Sequence, residues 1–536
     1  MSSSYRRSLF FVLLVMVVCG LLGVSFSQRT DQSPAADTGV RSNLRQFSEV
    51  YDIVEQNYAE KINADKAIYN GAIPGMLHVL DPHSNFLDPK SYSALHEEQQ
   101  GKYYGVGMAI AARNNKIVVI APFVGTPAYK AGLRPGDVLI AVDGKPTDNL
   151  NTGDVADMLK GPKGTKVHIT TLREGAEKPL EFNVVRDEIP RNSVDLKFFV
   201  RPGIAYMHVN GFNETTEHEV AEALDEFGDL KGLILDLRGN PGGLLMEGVG
   251  VADKFLKRGQ VIVSHHGRSS PERLYRATRG NGGKEYPLVV LVNRGTASAA
   301  EIVAGAIQDH DRGLIAGDVT FGKGLVQTVI DLSENTGLLL TTARYYTPSG
   351  RLIQRDYNGV SLYDYYYNRE QAESNAAAQS KEVKLTDSGR TMYGGGGITP
   401  DVKIPAVKPT HFEDTLLIKY AFFNFARHYL QNHQVEKNFE VTEPVLQEFR
   451  RFLDDQKIAF TEADLNEGLG MDWIKTQIKS ELFISQFGQE EGLKVRAEND
   501  PNVTVALNLL PKAKELADNA KKVLAQRSAA AQQSKQ

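Results

Sequence analysis

Across residues 203–345 short apolar runs alternate with helix-length amphipathic segments. Residues 203–209, 232–237, 288–292, 313–316, 325–332 and 337–345 read as strands, and 217–227, 248–255 and 298–308 as helices. A strand that pairs in parallel with its predecessor needs a crossover about as long as a helix. The alternation therefore predicts an α/β core with a largely parallel sheet. The run 288–292 is apolar at every position, as suits a strand covered on both faces.

The flanks read differently. The chain has 536 residues, too many for one core. Residues 40–93 carry apolar positions at helical spacing (Leu44, Phe47, Val50, Tyr51, Val54), and a second helical segment, 64–80, stops at Asp81-Pro82. Residues 94–186 show short strands at 106–110, 116–120, 137–142 and 166–172, separated by Gly, Pro and Asn turns, with a helix over 153–159. Residues 187–404 hold the α/β core. Residues 405–536 turn helical again, with an aromatic amphipathic segment at 416–430 and an exposed or frayed helix expected from Lys512. The expected fold class is thus multidomain α/β: an α/β core, an inserted β-rich module, and helical N- and C-terminal regions.

Compartment is read from the first residues. Arg6 and Arg7 precede an almost wholly apolar stretch, 9–24, and Ser25-Phe26-Ser27 offers small residues for a signal peptidase. Residues 1–27 read as a signal peptide or anchor, with 8–26 a candidate inner-membrane anchor, so an exported, periplasmic or extracytoplasmic protein is expected. Cys19 is the single cysteine, so disulfides and thiol catalysis elsewhere are excluded. A formal net charge of -5 gives no reason to expect a nucleic-acid partner.

Ser298 follows the 288–292 run across the turn Asn293-Arg294-Gly295-Thr296 and opens a helix. Free N–H groups and the positive end of a helix dipole surround such a serine and favour a developing oxyanion. The plainer reading is an N-cap, since Ser298-Ala299-Ala300-Glu301 fits the capping-box pattern, although Thr296 is an alternative cap. Lys323 lies 25 residues on, between Gly322 and Gly324. A lysine acts as general base near neutrality only if its pKa falls by about three units from ~10.4, which burial can supply; otherwise it is a surface lysine in a tight turn.

Residues 317–323 also fit most of a phosphate-binding loop. Gly324 stands where that motif requires Ser or Thr, and a strand-like run comes next instead of a helix, so nucleotide binding is rejected. His310 is twelve residues from Ser298 on the same expected helix, about 18 Å along the axis and out of reach as its base. Spacing leaves His265 and His266 open. The dispersed histidines offer no zinc set, and no cofactor is expected.

Five segments together resemble the carboxyl-terminal processing (tail-specific) serine proteases over about residues 40–405. They are 290–301 around Ser298, Gly322-Lys323-Gly324-Leu325-Val326-Gln327, the run 235–243 ending in Pro241-Gly242-Gly243, Asp81-Pro82-His83-Ser84, and Gly397-Ile398-Thr399-Pro400-Asp401. The resemblance implies that Ser298 is the nucleophile, Lys323 its base and Gln327 the residue orienting the lysine amine. The N–H groups of Ala299 and Gly243 would form the oxyanion hole. On a straight strand Lys323 and Gln327 would be about 13 Å apart, so the segment must bend after Gly324 or the side chains must lean together.

The module at 94–186 resembles a PDZ domain, with Tyr104, Gly105, Val106 and Gly107 as its carboxylate-binding loop. The resemblance implies an endopeptidase acting near the free C-termini of protein or peptide substrates, with an activator or adaptor protein and a homodimer as further expected partners. A PDZ adaptor or chaperone with an inactive hydrolase site is the alternative.

Overall fold

The computed structural model describes residues 38–368 and 382–533. The expected signal peptide or anchor lies outside them. Among the described residues no helix is long and apolar enough to cross a membrane.

The described residues form two compact units, divided between Met76 and Leu77. The first holds the helix Thr38–Asn57 and the helix Ala64–Ala67, which continues into a π-turn at Ile68–Ala72. Asn63 caps the second helix by accepting from the Lys66 N–H at 3.0 Å.

The larger unit is organised around a six-stranded sheet. Ile204–Val209, Gly232–Asp236, Leu288–Val292 and Leu314–Gly317 run parallel in that order. Val194–Arg201 adds antiparallel at one edge and Val402–Lys403 adds parallel at the other. One face packs against the helices Thr216–Phe227, Leu245–Asp253 and Ala299–Asp309 through Leu233, Leu235, Val290, Val292, Ile302 and Val303. The opposite face (Ile234, Val289, Leu291) is covered by Val503, Ala506, Leu510 and Ala513 of the long helix Pro501–Gln533. The tail expected to be exposed from Lys512 is packed as far as Ala520, which is 4% exposed, and is exposed as expected over residues 524–530. Its alanines make a thin face that lies close against the sheet, and this composition reads as low complexity in one dimension.

Leu325–Asp331 and Gly337–Tyr346 do not extend the parallel sheet. They form a hairpin in a separate antiparallel sheet with Asn85–Leu87, Val261–His266 and Arg273–Arg276. The linker between the two hairpin strands is too short for a crossover, so antiparallel pairing is forced.

The β-rich module pairs Met108–Arg113, Lys116–Pro122, Val138–Val142, Lys166–Leu172 and Leu180–Val185 in one sheet around Val119, Leu139, Val155, Val167 and Ile169. The expected strand over 106–110 is interrupted at Gly107, whose φ is +77°. Lys102–Gly105 pairs instead with Asp187–Pro190, the strand by which the chain leaves the module. The C-terminal helices have their own core of Phe422, Phe425, Phe449, Leu453 and Ile478. The aromatic segment expected to be one helix is two, His411–Ile418 and Ala421–Asn432, broken at Tyr420 with φ +53°.

Candidate active site

Ser298 stands where the central strand Leu288–Val292 gives way to the helix Ala299–Asp309. Its φ of +54° and ψ of -117° are strained for a residue with a side chain and turn the hydroxyl out of the helix. Ser298 and Glu301 close the helix start as a capping box, as the sequence pattern predicts, with the firm arm running from the Ser298 N–H to the Glu301 carboxylate. Thr296 is not the cap: it is fully buried, and its hydroxyl donates to the Leu237 carbonyl at 2.8 Å. The helix start is organised by Glu301, whose carboxylate accepts from the Ser298 N–H at 2.9 Å.

Glu301 does more than cap. The same fully buried carboxylate accepts from the Gly322 N–H at 2.8 Å, the Lys323 N–H at 2.9 Å and the Thr320 hydroxyl at 2.5 Å. Burial pushes its pKa up to about 7, against the lowering effect of these donors. Tyr345 mirrors the arrangement with a donor. Its buried hydroxyl shares its one proton between the Lys323 carbonyl, the nearer acceptor, and the Ser298 carbonyl at 3.0 Å. One acid and one phenol thus hold the main chain of both candidate residues.

The glycines around Lys323 are required by close approach. At Gly324 a Cβ would stand 2.9 Å from the Gln354 nitrogen; Gly322 has φ +89°. The loop is irregular up to Leu325, so the straight-strand separation does not apply. The Lys323 Nζ reaches the Gln327 Oε1 at 2.6 Å, and the Gln327 Nε2 donates to the His83 carbonyl at 2.7 Å. Burial depresses the Lys323 pKa, while the nearby Glu301 and Asp81 carboxylates oppose the shift. No hydrogen bond joins the Lys323 amine to the Ser298 hydroxyl among the described residues, although both side chains border one cleft of about 1180 Å³.

The run 235–243 brings a second backbone to Ser298. A Cβ on Gly242 would sit 2.6 Å from the Ser298 Cβ, and one on Gly243 would sit 2.1 Å from the Phe212 oxygen. The Gly242 carbonyl accepts from the Phe212 N–H at 2.9 Å. Among the described residues the N–H groups of Gly243 and Ala299 donate to no protein acceptor, and both residues line the cleft.

Gly105, Val106 and Gly107 border the same cleft. The carbonyls of Val106 and Gly107 are used inside the module, by Ala128 N–H at 2.8 Å and Phe123 N–H at 3.0 Å. Their own N–H groups have no protein acceptor among the described residues. Tyr104 is not brought to the cleft: on an alternating strand its side chain points the other way, and its hydroxyl reaches Glu188 at 3.3 Å.

The three histidines considered as bases are engaged elsewhere. His310 is bonded to Asp387 at 2.7 Å and to the Val261 carbonyl at 2.6 Å; His265 contacts the Tyr275 hydroxyl, and His266 stacks on Tyr346. His83 is the nearer histidine. Its ring lies between the hydroxyls of Tyr365 and Tyr366, and burial with the nearby Lys323 cation depresses its pKa to about 3. It is held in place by the turn at Asp81, whose carboxylate accepts from the N–H groups of His83 and Ser84 at 2.8 Å each. Among the described residues no group of acidic, His or Cys side chains is arranged to hold a metal.

Sequence reasoning missed Tyr345, which carries no local signal, and the reach of Glu301, whose only sign was the capping pattern. It also missed that His83 serves the lysine through its carbonyl.

Comparison with known proteins agrees with this architecture. The profile for peptidase family S41 matches residues 203–361 and a PDZ profile matches 118–173. The profile of the activating protease CtpB N-terminal domain matches 23–91, and a C-terminal helical domain of a probable PDZ-protease matches 412–467. A carboxy-terminal-processing protease of Bartonella bacilliformis is 38% identical over 355 residues, covering 65% of this chain and 80% of its own. The carboxy-terminal processing protease CtpB of Bacillus subtilis is 30% identical over 325 residues, covering 60% and 67%. Among solved structures, the photosystem II D1 C-terminal processing protease shares 34% identity, with 68% and 88% covered and a TM-score of 0.34. With its PDZ domain, its S41 core and a relative matched over most of its length, the chain belongs to the carboxy-terminal-processing serine peptidases of family S41.

Proposed function

We propose that the chain cleaves peptide bonds near protein C-termini with Ser298 as nucleophile and Lys323 as general base. The observation that carries this reading is the shared grip of Glu301 and Tyr345 on both residues, whose side chains enter one cleft beside two unpaired N–H groups.

In this mechanism the neutral Lys323 amine takes the proton from the Ser298 hydroxyl as its oxygen attacks the substrate carbonyl carbon. The negative charge that develops on the carbonyl oxygen is met by the Gly243 and Ala299 N–H groups. The resulting ammonium returns the proton to the leaving amine, and the C–N bond breaks to give the acyl-serine. Water, deprotonated by the same amine, hydrolyses the ester. Gln327, held by the His83 carbonyl, keeps the amine oriented. A neutral amine can keep one N–H on the Gln327 Oε1 while its lone pair takes the Ser298 proton, so the Lys323–Gln327 contact is kept through the step.

The Val106 and Gly107 N–H groups are suited to cap a substrate carboxylate at the far end of the cleft, with Gly105 and Tyr104 shaping the strand that presents them. The basic and apolar start of the chain (Arg6, Arg7, then residues 9–24) supports export. A protein activator and a homodimer belong to the same reading and are tested by sedimentation with and without candidate substrates.

The decisive experiment is turnover of a peptide with an apolar free C-terminus by wild type, Ser298→Ala and Lys323→Ala. Wild-type turnover with both variants silent is expected; equal cleavage by either variant removes that residue from the mechanism. Amidating the peptide C-terminus should raise KM, and unchanged cleavage counts against carboxylate capture. Binding without turnover by wild type would favour the adaptor reading, which the missing Ser298–Lys323 hydrogen bond also suits.

A further inference from the structure

The run 235–243 that presents the Gly243 N–H is anchored in two ways. Its inner end is tied by neutral hydrogen bonds: the Asn240 side chain donates to the Val209 carbonyl at 2.8 Å, and the Asn240 carbonyl accepts from the Ala297 N–H at 2.9 Å. Its outer end is tied by the Gly239 N–H, which donates to the Asn293 Oδ1 at 2.9 Å, and by charge. The Arg238 guanidinium lies against both carboxylate oxygens of Asp236, within 2.5 to 3.0 Å. Asp236 ends the strand Gly232–Asp236 and also accepts from the Tyr206 hydroxyl at 2.7 Å, so this pair ties the loop back to the sheet. Among the described residues the guanidinium has one further anionic partner, Asp500 at 2.8 Å.

Asp500 begins the long C-terminal helix. Its carboxylate accepts from the Asn502 N–H at 2.7 Å and its carbonyl from the Thr504 N–H at 3.1 Å, so its position is fixed by the helix start. The helix in turn is fixed to the sheet by Val503, Ala506 and Leu510. Both partners are mostly buried, with side chains 19% and 23% exposed, so the pair is less screened than a surface bridge. The same C-terminal region borders the cleft through Gln489, Glu490 and Leu493.

We propose that Asp500 is a positioning residue: through Arg238 it makes the C-terminal helix a support for the loop that carries the Gly243 N–H. This rests on the proposed role of Gly243 in the oxyanion hole. It assigns the C-terminal helical region a part in the reaction that does not depend on touching substrate. Loss of the tether should cost transition-state stabilisation rather than substrate binding, because the loop meets the oxyanion only as charge develops.

The test uses the full chain with Asp500→Ala and Asp500→Glu. Asp500→Ala should lower kcat about tenfold with KM within about twofold, and Asp500→Glu should recover most of the loss. Unchanged kcat in Asp500→Ala, or no recovery in Asp500→Glu, overturns the proposal. A second readout does not need turnover: amide hydrogen exchange of residues 237–243, measured with Asp500→Ala in a Ser298→Ala background. Exchange there should rise about tenfold, and unchanged exchange overturns the proposal even if the chain proves not to be a peptidase. If exchange rises while kcat is unchanged in an active enzyme, the tether is real but the loop does not position the reaction, and the proposal fails.

Discussion

The Ser298 turn is set by its strand–turn–helix unit and the loop stacked beside it, with the Thr296 hydroxyl on Leu237 and the Ala297 N–H on Asn240. The Lys323 loop has no regular structure of its own. It is gripped from outside by Glu301, Gln354, Tyr345 and, through Gln327, by His83, which is 240 residues away from Lys323 in sequence. A nucleophile can be placed by a rigid local turn, whereas a lysine that must lose its proton needs a dry, polar-satisfied enclosure assembled from several parts of the chain. The two residues should therefore respond differently to perturbation: the serine to changes next to it, the lysine to changes far off in sequence.

The largest effects should come from the two residues themselves. Ser298→Ala and Lys323→Ala should each lower kcat/KM by about 10³-fold or more in a fluorogenic peptide assay while leaving the thermal midpoint nearly unchanged. A lysine variant that retains activity would show that the enclosure around Lys323 does not serve the reaction.

Glu301→Ala comes next, because it removes the acceptor shared by both regions. Three backbone N–H groups and the Thr320 hydroxyl would be left buried without it. A loss of about 3 kcal/mol in chemical denaturation and a fall of about 10²-fold in kcat are expected. Gly242→Ala tests the serine side alone. Its φ of +96° and the 2.6 Å approach to the Ser298 Cβ leave no room for a methyl group, so kcat should fall about tenfold with a stability cost of about 1–2 kcal/mol. Gln327→Ala tests the lysine side alone and should lower kcat about tenfold, leaving KM in place.

The pH dependence sharpens the same contrast. Activity should rise with pH as the Lys323 amine deprotonates, with the midpoint below 10.5 because burial depresses its pKa. The Glu301 anion opposes that shift, so Glu301→Gln should move the rising limb of kcat/KM to lower pH; a move to higher pH would contradict the assignment. Stability carries opposite signs. Glu301 has a folded pKa raised to about 7, so its contribution is fully present below 4.5 and is lost as pH rises through about 7. Lys323 has a lowered folded pKa, so the unfolded chain holds the proton longer and stability rises with pH toward 10.5. Chemical denaturation across pH, with and without Glu301→Gln, separates the two.

Much of the core was legible. The strand expected over 288–292 is Leu288–Val292, and the 166–172 strand is likewise as read, because apolar runs bounded by turn residues leave one good assignment. The hairpin at 325–346 was read into the parallel sheet because strand signals carry no partner. The edge strand Val194–Arg201 went unread although Val194, Leu196, Phe198 and Val200 alternate with Asp195, Lys197 and Arg201; only Phe199 breaks the period. At the site, Ser298 and Lys323 stood out by their glycine-rich and turn surroundings. Tyr345 did not, because an aromatic on a strand is ordinarily core; only its hydroxyl, brought against two carbonyls, gives it a role.

The sequence alone determined the α/β alternation, the serine at a strand-to-helix turn, the lysine between glycines and the PDZ-like module, since each depends on periodicity or on residues close in the chain. Tertiary structure decided that one carboxylate would hold both candidate residues, that His83 would reach Gln327 through its backbone, and that an alanine-rich tail would cover the sheet and meet Arg238 through Asp500. Those contacts join segments tens to hundreds of residues apart. Local pattern fixes which side chains face inward, but only the assembled packing brings a particular acid or carbonyl within 3 Å of a particular donor.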